Sequence, residues 1–243
     1  MKRLRMNTGL KFTRGGRKLS LFIGLCLLFV SVLSLASCGE KTATKDFDAA
    51  DDAAQDAKIK TNVKPEADAE AAVIETDYGK IVLELYPNLA PNMVARFKQL
   101  IKEGFYNDTT FHRIDPQLGI IQGGDPLSKD GNPDNDGQGS SANPNVAAEF
   151  SDVPYERGTV GAARAASVDS ANCQFYITLK RQPAFDKRYT VFGRIVDNQS
   201  LNNADVIMGA PTATGTERPD PPILIKRITL QPRASFGAST VAP

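Results

Sequence analysis

Six short runs rich in β-branched and aromatic residues follow one another between residues 111 and 230, and Gly, Asn, Asp and Ser fill the loops between them. The runs are 111–114 (FHRI), 119–122 (GIIQ), 158–164 (GTVGAAR), 174–179 (QFYITL), 190–196 (TVFGRIV) and 223–230 (ILIKRITL). Many short strands separated by turn-forming residues are typical of antiparallel barrels and sandwiches. No internal repeat accompanies them, so the sequence predicts a mainly β domain.

A hairpin precedes these runs. AVIET and KIVLELY flank Asp77-Tyr78-Gly79, which predicts two strands joined by a tight turn with Gly79 at a position that favours positive φ. Two helices are also predicted, the first between Pro91 and Gly104 and a weaker one within 200–208. Their apolar residues recur at helical spacing, at Val94, Phe97, Leu100 and Ile101 and at Leu201, Ala204 and Ile207.

The N-terminus has the pattern of an export signal. The first eighteen residues hold seven Lys and Arg and no acid, and the apolar run 19–36 follows. The run ends in Leu35-Ala36-Ser37-Cys38, which resembles the bacterial lipobox, so 1–37 is predicted to be a lipoprotein signal peptide and Cys38 a lipidated residue. A transmembrane anchor is the alternative, since about 18 apolar residues just span a bilayer.

The predicted chain organisation follows from the composition beyond Cys38. Residues 38–70 are rich in Ala, Asp, Glu and Lys and predict a flexible tether from the membrane, 71–231 form the globular domain, and 232–243 form a disordered tail. The protein is therefore expected to be exported and lipid-anchored to the bacterial cell envelope. Gly39 after the cysteine is compatible with the outer membrane, facing the periplasm, if the cell is Gram-negative.

Charge and cysteine usage exclude several functions. Lys and Arg number 29 against 28 Asp and Glu, so the chain has no field suited to nucleic acid, and none is expected as a partner. Cys26 leaves with the signal and Cys38 takes lipid, which leaves Cys173 without a disulfide partner. Cys173 is either a nucleophile or, as we favour, a buried inert thiol.

The segment TTFHRIDPQLGIIQGGDP at 109–126 holds His112, the only histidine in the chain. One histidine without a cysteine cluster cannot supply a zinc ligand set, so no metal is predicted. No G-x-S-x-G accompanies it for a nucleophilic triad, and IQGGDP lacks the Lys-Ser/Thr ending of a phosphate loop. The remaining hypothesis uses Arg113 as a fixed cation and His112 as scaffold, with no cofactor.

Five segments in order resemble the cyclophilin-type peptidyl-prolyl cis–trans isomerases. They are ETDYGKIVLELYPNLAPNMVARFKQLIKEGFYNDTTFHRI at 75–114, IIQGGDP at 120–126, GTVGAARA at 158–165, CQFYITL at 173–179 and YTVFGRIV at 189–196. The resemblance covers about residues 72–230. It implies a closed eight-stranded antiparallel β-barrel capped by two helices, acting on proline-containing unfolded or partly folded polypeptides. We expect a monomer that assists the folding of exported proteins.

The resemblance also implies roles for individual residues. Arg113 matches the catalytic arginine and Gln122 the glutamine that orients it, while Gln174 would hydrogen-bond the substrate backbone. His112 is expected to be a wall residue of the site. The apolar proline pocket would be built from Phe111, Ile120, Ala163, Phe175, Tyr176, Phe185 and Tyr189, of which Phe111 and Phe175 are also expected in the barrel core.

The sequence departs from the family pattern at three places. In SVDSANCQ, Asn172 and Cys173 replace the more usual Gly-Ser before the glutamine, and the other two departures bear more directly on function. One extra residue separates Arg113 from Gln122, and the stretch 116–119 offers Leu118 where an aromatic is usual. Ala184 stands where eukaryotic cytosolic members carry tryptophan. These departures motivate an alternative function as a non-catalytic peptide-binding or chaperone module. A third hypothesis, a hydrolase that uses His112, predicts cleavage of an ester or peptide, which we do not expect.

Overall fold

The computed structural model describes residues 58–241, and within this range the chain forms a nine-stranded antiparallel sheet with two α-helices. The strands are β1 Glu70–Thr76, β2 Gly79–Leu85, β3 Thr109–Asp115, β4 Ile120–Gly123, β5 Thr159–Ala162, β6 Phe175–Thr178, β7 Val191–Ile195, β8 Ile223–Ile225 and β9 Arg227–Pro232. The helices are α1 Pro91–Lys102 and α2 Asn198–Met208. Short 3-10 helices occupy Pro126–Lys129, Pro183–Phe185 and Arg233–Phe236.

The sheet nearly closes on itself. Its strand order is β8-β3-β4-β6-β5-β7-β2-β1-β9, so the two ends of the order are consecutive pieces of chain separated only by Lys226. The Lys226 backbone N–H donates to the Glu75 carbonyl at 2.8 Å. The predicted barrel class is confirmed. The predicted eight strands become nine because the run 223–230 divides at Lys226, with β8 pairing β3 and β9 pairing β1.

The predicted hairpin and both helices are present in the structure. β1 pairs β2 from Ala71↔Glu84 to Thr76↔Gly79, and Gly79 has a φ of +108°, a conformation that side-chain-bearing residues rarely adopt. α1 buries Phe97, whose ring lies 5.2–5.4 Å from three other aromatic rings inside the barrel. Among residues 58–241, no helix combines the length and apolar character that crossing a bilayer requires.

The predicted tether is too long at its C-terminal end. Residues 58–70 lie along the barrel: the Lys60 backbone N–H donates to the Phe150 carbonyl at 2.8 Å, and its Nζ donates to the Leu89 carbonyl at 2.6 Å. Val63 packs against buried aromatic residues. Backbone hydrogen bonds to the barrel order this segment despite its polar composition. The predicted signal peptide, Cys38 and the rest of the tether lie outside the described residues.

The C-terminal segment also differs from the predicted disordered tail. β9 extends to Pro232, and the Arg233 guanidinium pairs with Glu84 at 2.7 Å, both side chains being largely buried. Further along, the Thr240 backbone N–H donates to the Val196 carbonyl at 3.0 Å. A buried ion pair and backbone pairing therefore hold residues 232–241 against the barrel, and residues 242–243 lie outside the described range.

Candidate active site

Three polar side chains form a row across neighbouring strands, which we call the polar row: Arg113, Gln122 and Gln174. Antiparallel pairing of β3 with β4 places Arg113 opposite Gln122, and Arg113 Nη1 donates to Gln122 Oε1 at 3.4 Å. Gln122 Nε2 in turn donates to Gln174 Oε1 at 3.0 Å. The two residues predicted to be catalytic and the predicted substrate-backbone contact are therefore connected through hydrogen bonds.

Arg113 is also held by two carboxylates. Its Nη2 donates to Asp115 Oδ2 at 2.9 Å, and its Nε donates to Glu217 Oε2 from the loop that follows α2. Sequence reasoning missed both. Asp115 had a detectable signal, because residues two apart on a strand project to the same face. Glu217 had none, since it lies 104 positions away in a loop.

A cavity of about 270 Å³ opens beside the polar row. Gln174 forms part of its wall and fixes another part, because its Nε2 donates to the carbonyls of Gly137 at 3.0 Å and Gly139 at 2.9 Å. The remaining lining comes from Gln122, Gln138, Ser140, the segment 163–165, Ser170, Asn172 and Cys173. The cavity therefore offers amide, hydroxyl and backbone groups beside small apolar side chains, which suits an extended peptide.

The predicted proline-pocket residues gather in a second cluster, which we call the aromatic cluster: Ile120, Tyr155, Tyr176, Phe185 and Tyr189. Tyr176 stacks on Tyr155 with ring centroids 6.0 Å apart, and its ring lies 5.5 Å from that of Phe185. Ala163 packs against this cluster and also lines the cavity. Tyr155 is a member that sequence reasoning missed. Tyr176 and Phe185 are each only 3% exposed.

Known proteins match this chain over the same region. The sequence model of the family described as cyclophilin type peptidyl-prolyl cis-trans isomerase/CLD matches residues 71–230. The chain belongs to the cyclophilin-type isomerase family. It is 40% identical over 173 residues to a probable peptidyl-prolyl cis-trans isomerase of Brucella suis, covering 62% of this chain and 87% of that one. A peptidyl-prolyl cis-trans isomerase of Synechococcus elongatus is 34% identical, covering 59% of this chain and 96% of that one.

A solved structure agrees with this assignment. The crystal structure of a Cryptosporidium parvum cyclophilin in the presence of the dipeptide Ala-Pro superposes with a TM-score of 0.58 at 28% identity, covering 66% of this chain and 98% of that one. The fold, the sequence family and the curated relatives therefore point to one enzyme class. The chain is a cyclophilin-type isomerase.

Residues 116–119 of this cyclophilin, which depart from the family pattern, form a turn that hydrogen bonds hold in place. Asp115 Oδ1 accepts from the Leu118 backbone N–H at 2.8 Å, and Lys180 Nζ donates to the Pro116 carbonyl at 3.3 Å. Gly119 has a φ of +64°, which gives the turn the backbone conformation that the longer stretch requires. Leu118 packs against the aromatic cluster beside Ile120. Two aliphatic side chains therefore lie together at this edge of the aromatic cluster.

Two phenylalanines from the predicted pocket lie in the barrel core. Phe111 and Phe175 are fully buried, with ring centroids 6.2 Å apart in an edge-to-face contact. The register between β3 and β4 shifts between Phe111 and Arg113, which lets one side chain face the core while the other reaches the polar row. The structure thus separates Phe111 from the aromatic cluster with which the sequence grouped it.

His112 faces a different cavity. It is 6% exposed and lines a space of about 170 Å³ together with Ser128, Asp136 and Arg218. Burial lowers the pKa of its imidazole to about 4, with a smaller opposing influence from the Asp125 carboxylate. The imidazole is therefore neutral near pH 7. His112 does not line the cavity beside the polar row, so the structure does not place it in the wall of that cavity, where the sequence predicted it.

Cys173 is a free and buried cysteine. Burial raises the pKa of the Cys173 thiol to about 11, so the protonated and weakly nucleophilic form dominates near neutral pH. Cys173 borders the cavity, yet it is fully buried. Between residues 58 and 241, no three His, Cys, Asp or Glu side chains gather closely enough to bind a metal ion.

Proposed function

We propose that this isomerase accelerates rotation about X–Pro bonds in exported polypeptides and so assists their folding, with Arg113 as the catalytic residue. The observation that carries the proposal is the polar row: the permanently charged Arg113 guanidinium hydrogen-bonds Gln122, Gln122 hydrogen-bonds Gln174, and both glutamines line a peptide-sized cavity. An arginine beside a cavity with amide donors and acceptors on the adjacent strands is what binding an amide and perturbing its electronics requires.

The chemistry follows from the electronic structure of the peptide bond. Delocalisation of the nitrogen lone pair into the carbonyl gives X–Pro rotation a barrier of about 18–20 kcal/mol. A hydrogen bond donated to the prolyl nitrogen holds that lone pair on nitrogen and weakens the partial double bond. Arg113 supplies such a donor without losing a proton, because a guanidinium stays charged in proteins. The step needs no covalent intermediate and no cofactor, only a preorganised donor.

Gln122 and Gln174 orient the reacting bond. Gln122 accepts from Arg113 through Oε1 and donates through Nε2, so it restrains the guanidinium on one side and points toward Gln174 on the other. Gln174 keeps loop 137–139 against the cavity with both Nε2 hydrogens, which leaves the second lone pair of its Oε1 to accept from the substrate backbone. Ala163, which borders both the cavity and the aromatic cluster, marks where the proline ring would rest, with Ile120, Tyr176, Phe185 and Tyr189 behind it.

The test of the catalytic assignment is isomerisation of a proline tetrapeptide. Arg113→Ala is expected to lower kcat/KM about 100-fold, the scale seen when one preorganised donor is removed from a transition state. Arg227→Ala is the matched control, because that arginine is 58% exposed on β9 and pairs with Glu75. Equal rates for Arg113→Ala and the wild type would refute the role of Arg113.

A non-catalytic peptide-binding module is the second candidate. It is favoured by the aromatic cluster, in which Tyr176 and Phe185 are each 3% exposed and leave little open surface for a proline ring. The same assay separates the candidates. A wild-type rate equal to the uncatalysed background, together with saturable binding of the tetrapeptide by NMR titration, would establish the binding module and exclude the enzyme.

We further propose that the enzyme is a lipoprotein of the bacterial envelope, with residues 1–37 removed, Cys38 acylated and the tether running to about residue 57. The support is the basic segment, the apolar run and the Leu-Ala-Ser-Cys sequence that ends it. Several acyl chains would anchor the protein stably, at about 0.8 kcal/mol for each buried methylene. Mass spectrometry of the mature N-terminus tests this: an unmodified Cys38 or retention of residues 1–37 would contradict it.

A further inference from the structure

We propose that Asp115 and Glu217 form a carboxylate clamp that positions the Arg113 guanidinium for catalysis. The inference rests on the proposed function, since it assigns a purpose to two residues that act through Arg113. Asp115 lies at the end of β3 and Glu217 in the loop after α2, so the clamp joins two segments that are far apart in sequence. Both are positioning residues, because neither belongs to the polar row itself.

The guanidinium is held at each of its three nitrogens by a different acceptor. Nε donates to Glu217, Nη2 to Asp115 at 2.9 Å, and Nη1 to Gln122 at 3.4 Å. A planar fork fixed at both Nε and Nη2 cannot rotate about its long axis. Nη1 makes the longest of these contacts, to Gln122 of the polar row, and keeps a second N–H that can donate to a substrate amide. The clamp therefore determines which edge of Arg113 faces Gln122 and the rest of the polar row.

Both carboxylates are fixed by contacts of their own. The Asp115 side chain is 5% exposed, and its second oxygen accepts from the Leu118 backbone N–H at 2.8 Å. Glu217 is anchored through its backbone, because its carbonyl accepts from the Ile114 N–H at 2.7 Å, one residue from Arg113. The loop after α2 thus contacts β3 through main chain and side chain together, so Glu217 approaches Arg113 in one geometry.

A clamp and an ordinary surface ion pair differ in what they predict. An ion pair that only stabilises the fold would change the unfolding temperature and leave kcat alone. A clamp would change kcat with little change in KM, because a mobile guanidinium still binds substrate but spends less time in the productive orientation. It would also act only through Arg113. The Glu217 side chain is 48% exposed, so the effect on kcat should be modest.

The experiment combines Glu217→Ala with Glu217→Gln, which keeps an acceptor without the charge. We expect Glu217→Ala to lower kcat about fivefold, the factor that corresponds to ~1 kcal/mol for a half-exposed pair, with KM nearly unchanged and partial recovery in Glu217→Gln. Glu103→Ala, which removes an exposed carboxylate at the end of α1, is the matched control. Arg113→Lys, which lacks Nε and the planar fork, supplies the background for a double-mutant cycle.

Hydrogen exchange at Arg113 Nε, measured by NMR, gives a readout independent of activity. Exchange should accelerate in Glu217→Ala and stay unchanged in Glu103→Ala. The clamp alone is overturned if Arg113→Ala loses activity while Glu217→Ala matches Glu103→Ala in both kcat and Nε exchange. It is also overturned if Glu217→Ala costs the same factor in the Arg113→Lys background. If Arg113→Ala keeps wild-type activity, the proposed function has failed first. Should Glu217→Ala not fold, Glu217→Gln must still accelerate Nε exchange, and unchanged exchange there refutes the clamp.

Discussion

The polar row and the aromatic cluster meet at one cross-strand pair, yet they are built in opposite ways. Gln122 on β4 lies directly opposite Tyr176 on β6. From Gln122 outward, side chains are joined by hydrogen bonds to residues from loops and remain partly exposed. On the other side, the rings of the aromatic cluster pack against one another, and only 3% of the Tyr176 surface is exposed. One side of this pair therefore depends on acceptor geometry and the other on packing.

We therefore expect mutations in the polar row and mutations in the aromatic cluster to have different effects, on activity and on stability respectively. Removing a member of the polar row should cost activity more than stability, since its groups can still reach water. Removing a member of the aromatic cluster should cost stability first, because a cavity in a packed interior cannot be refilled by solvent. Substitutions on the two sides of the Gln122–Tyr176 pair can test that division.

The largest effect is expected for Tyr176→Ala. The Tyr176 ring lies so close to Gly161 that no Cβ would fit there, and it contacts Tyr155, Phe185 and Tyr189. Truncation should lower the free energy of unfolding by about 3–5 kcal/mol, as for other large buried aromatics. Urea denaturation measures this. Tyr176→Phe keeps the ring and should cost much less, and an equal cost for the two variants would mean that packing is not what the cluster contributes.

His112 provides a second, pH-dependent test. Its pKa of about 4 in the folded protein lies below the value of about 6.5 for an unfolded chain, so the unfolded state binds the proton more readily. The contribution of neutral His112 is fully present above pH 6.5 and is lost as the pH falls towards 4, a difference of about 3 kcal/mol. Urea midpoints between pH 7 and 4 should fall more steeply in the wild type than in His112→Gln.

The same variant probes function. His112 belongs to the packed interior even though it adjoins Arg113 in sequence, so His112→Gln should keep kcat/KM at pH 7 within about twofold of the wild type, as expected for a conservative change outside the polar row. A large loss of isomerisation at unchanged stability would place His112 in the active site. The functional difference between the polar row and the packed residues would then be weaker.

The parts of the fold that the sequence predicts are those set by interactions between residues close together in the chain. Alternation and turn residues predicted the hairpin and the barrel strands, because those signals are local. The division at Lys226 was not predictable, since the run 223–230 is continuous in sequence and only pairing with β3 on one side and β1 on the other separates it. Likewise, the polar composition of 58–70 suggested a tether, whereas contacts to Phe150 and Leu89 order it.

The site shows the same limit. Family resemblance located Arg113, Gln122 and Gln174, and the structure joins them by hydrogen bonds. The family resemblance could not locate Glu217, which contacts Arg113 from a loop that has no sequence pattern. Nor could it locate Tyr155, which lies outside the five segments that resemble the family. The resemblance assigned Phe111 to the pocket while the barrel core was also expected for it, and the register shift in β3 directs its side chain to the core. Neighbours in sequence need not share a face.

Gln174→Ala should have the smallest effect on stability and a clear one on activity. The substitution removes an acceptor for Gln122 and the donor to Gly137 and Gly139, all in a partly exposed region. Three neutral hydrogen bonds of this kind, largely replaced by hydrogen bonds to water, should together cost about 0.5–1 kcal/mol of stability. Because both Gln122 and loop 137–139 lose their restraint, we expect kcat/KM to fall about tenfold, equivalent to ~1.4 kcal/mol in the transition state.

Gln174→Glu is the control that makes this result specific. It keeps an acceptor for Gln122 but cannot donate to the Gly137 and Gly139 carbonyls, so it separates the two contributions of the residue. Activity closer to the wild type than that of Gln174→Ala would mean that alignment of Gln122 and Arg113 matters most. Activity as low as that of Gln174→Ala would assign the effect to the loop. If neither variant changes kcat/KM, hydrogen-bonded alignment is not what distinguishes the polar row from the packed residues beside it.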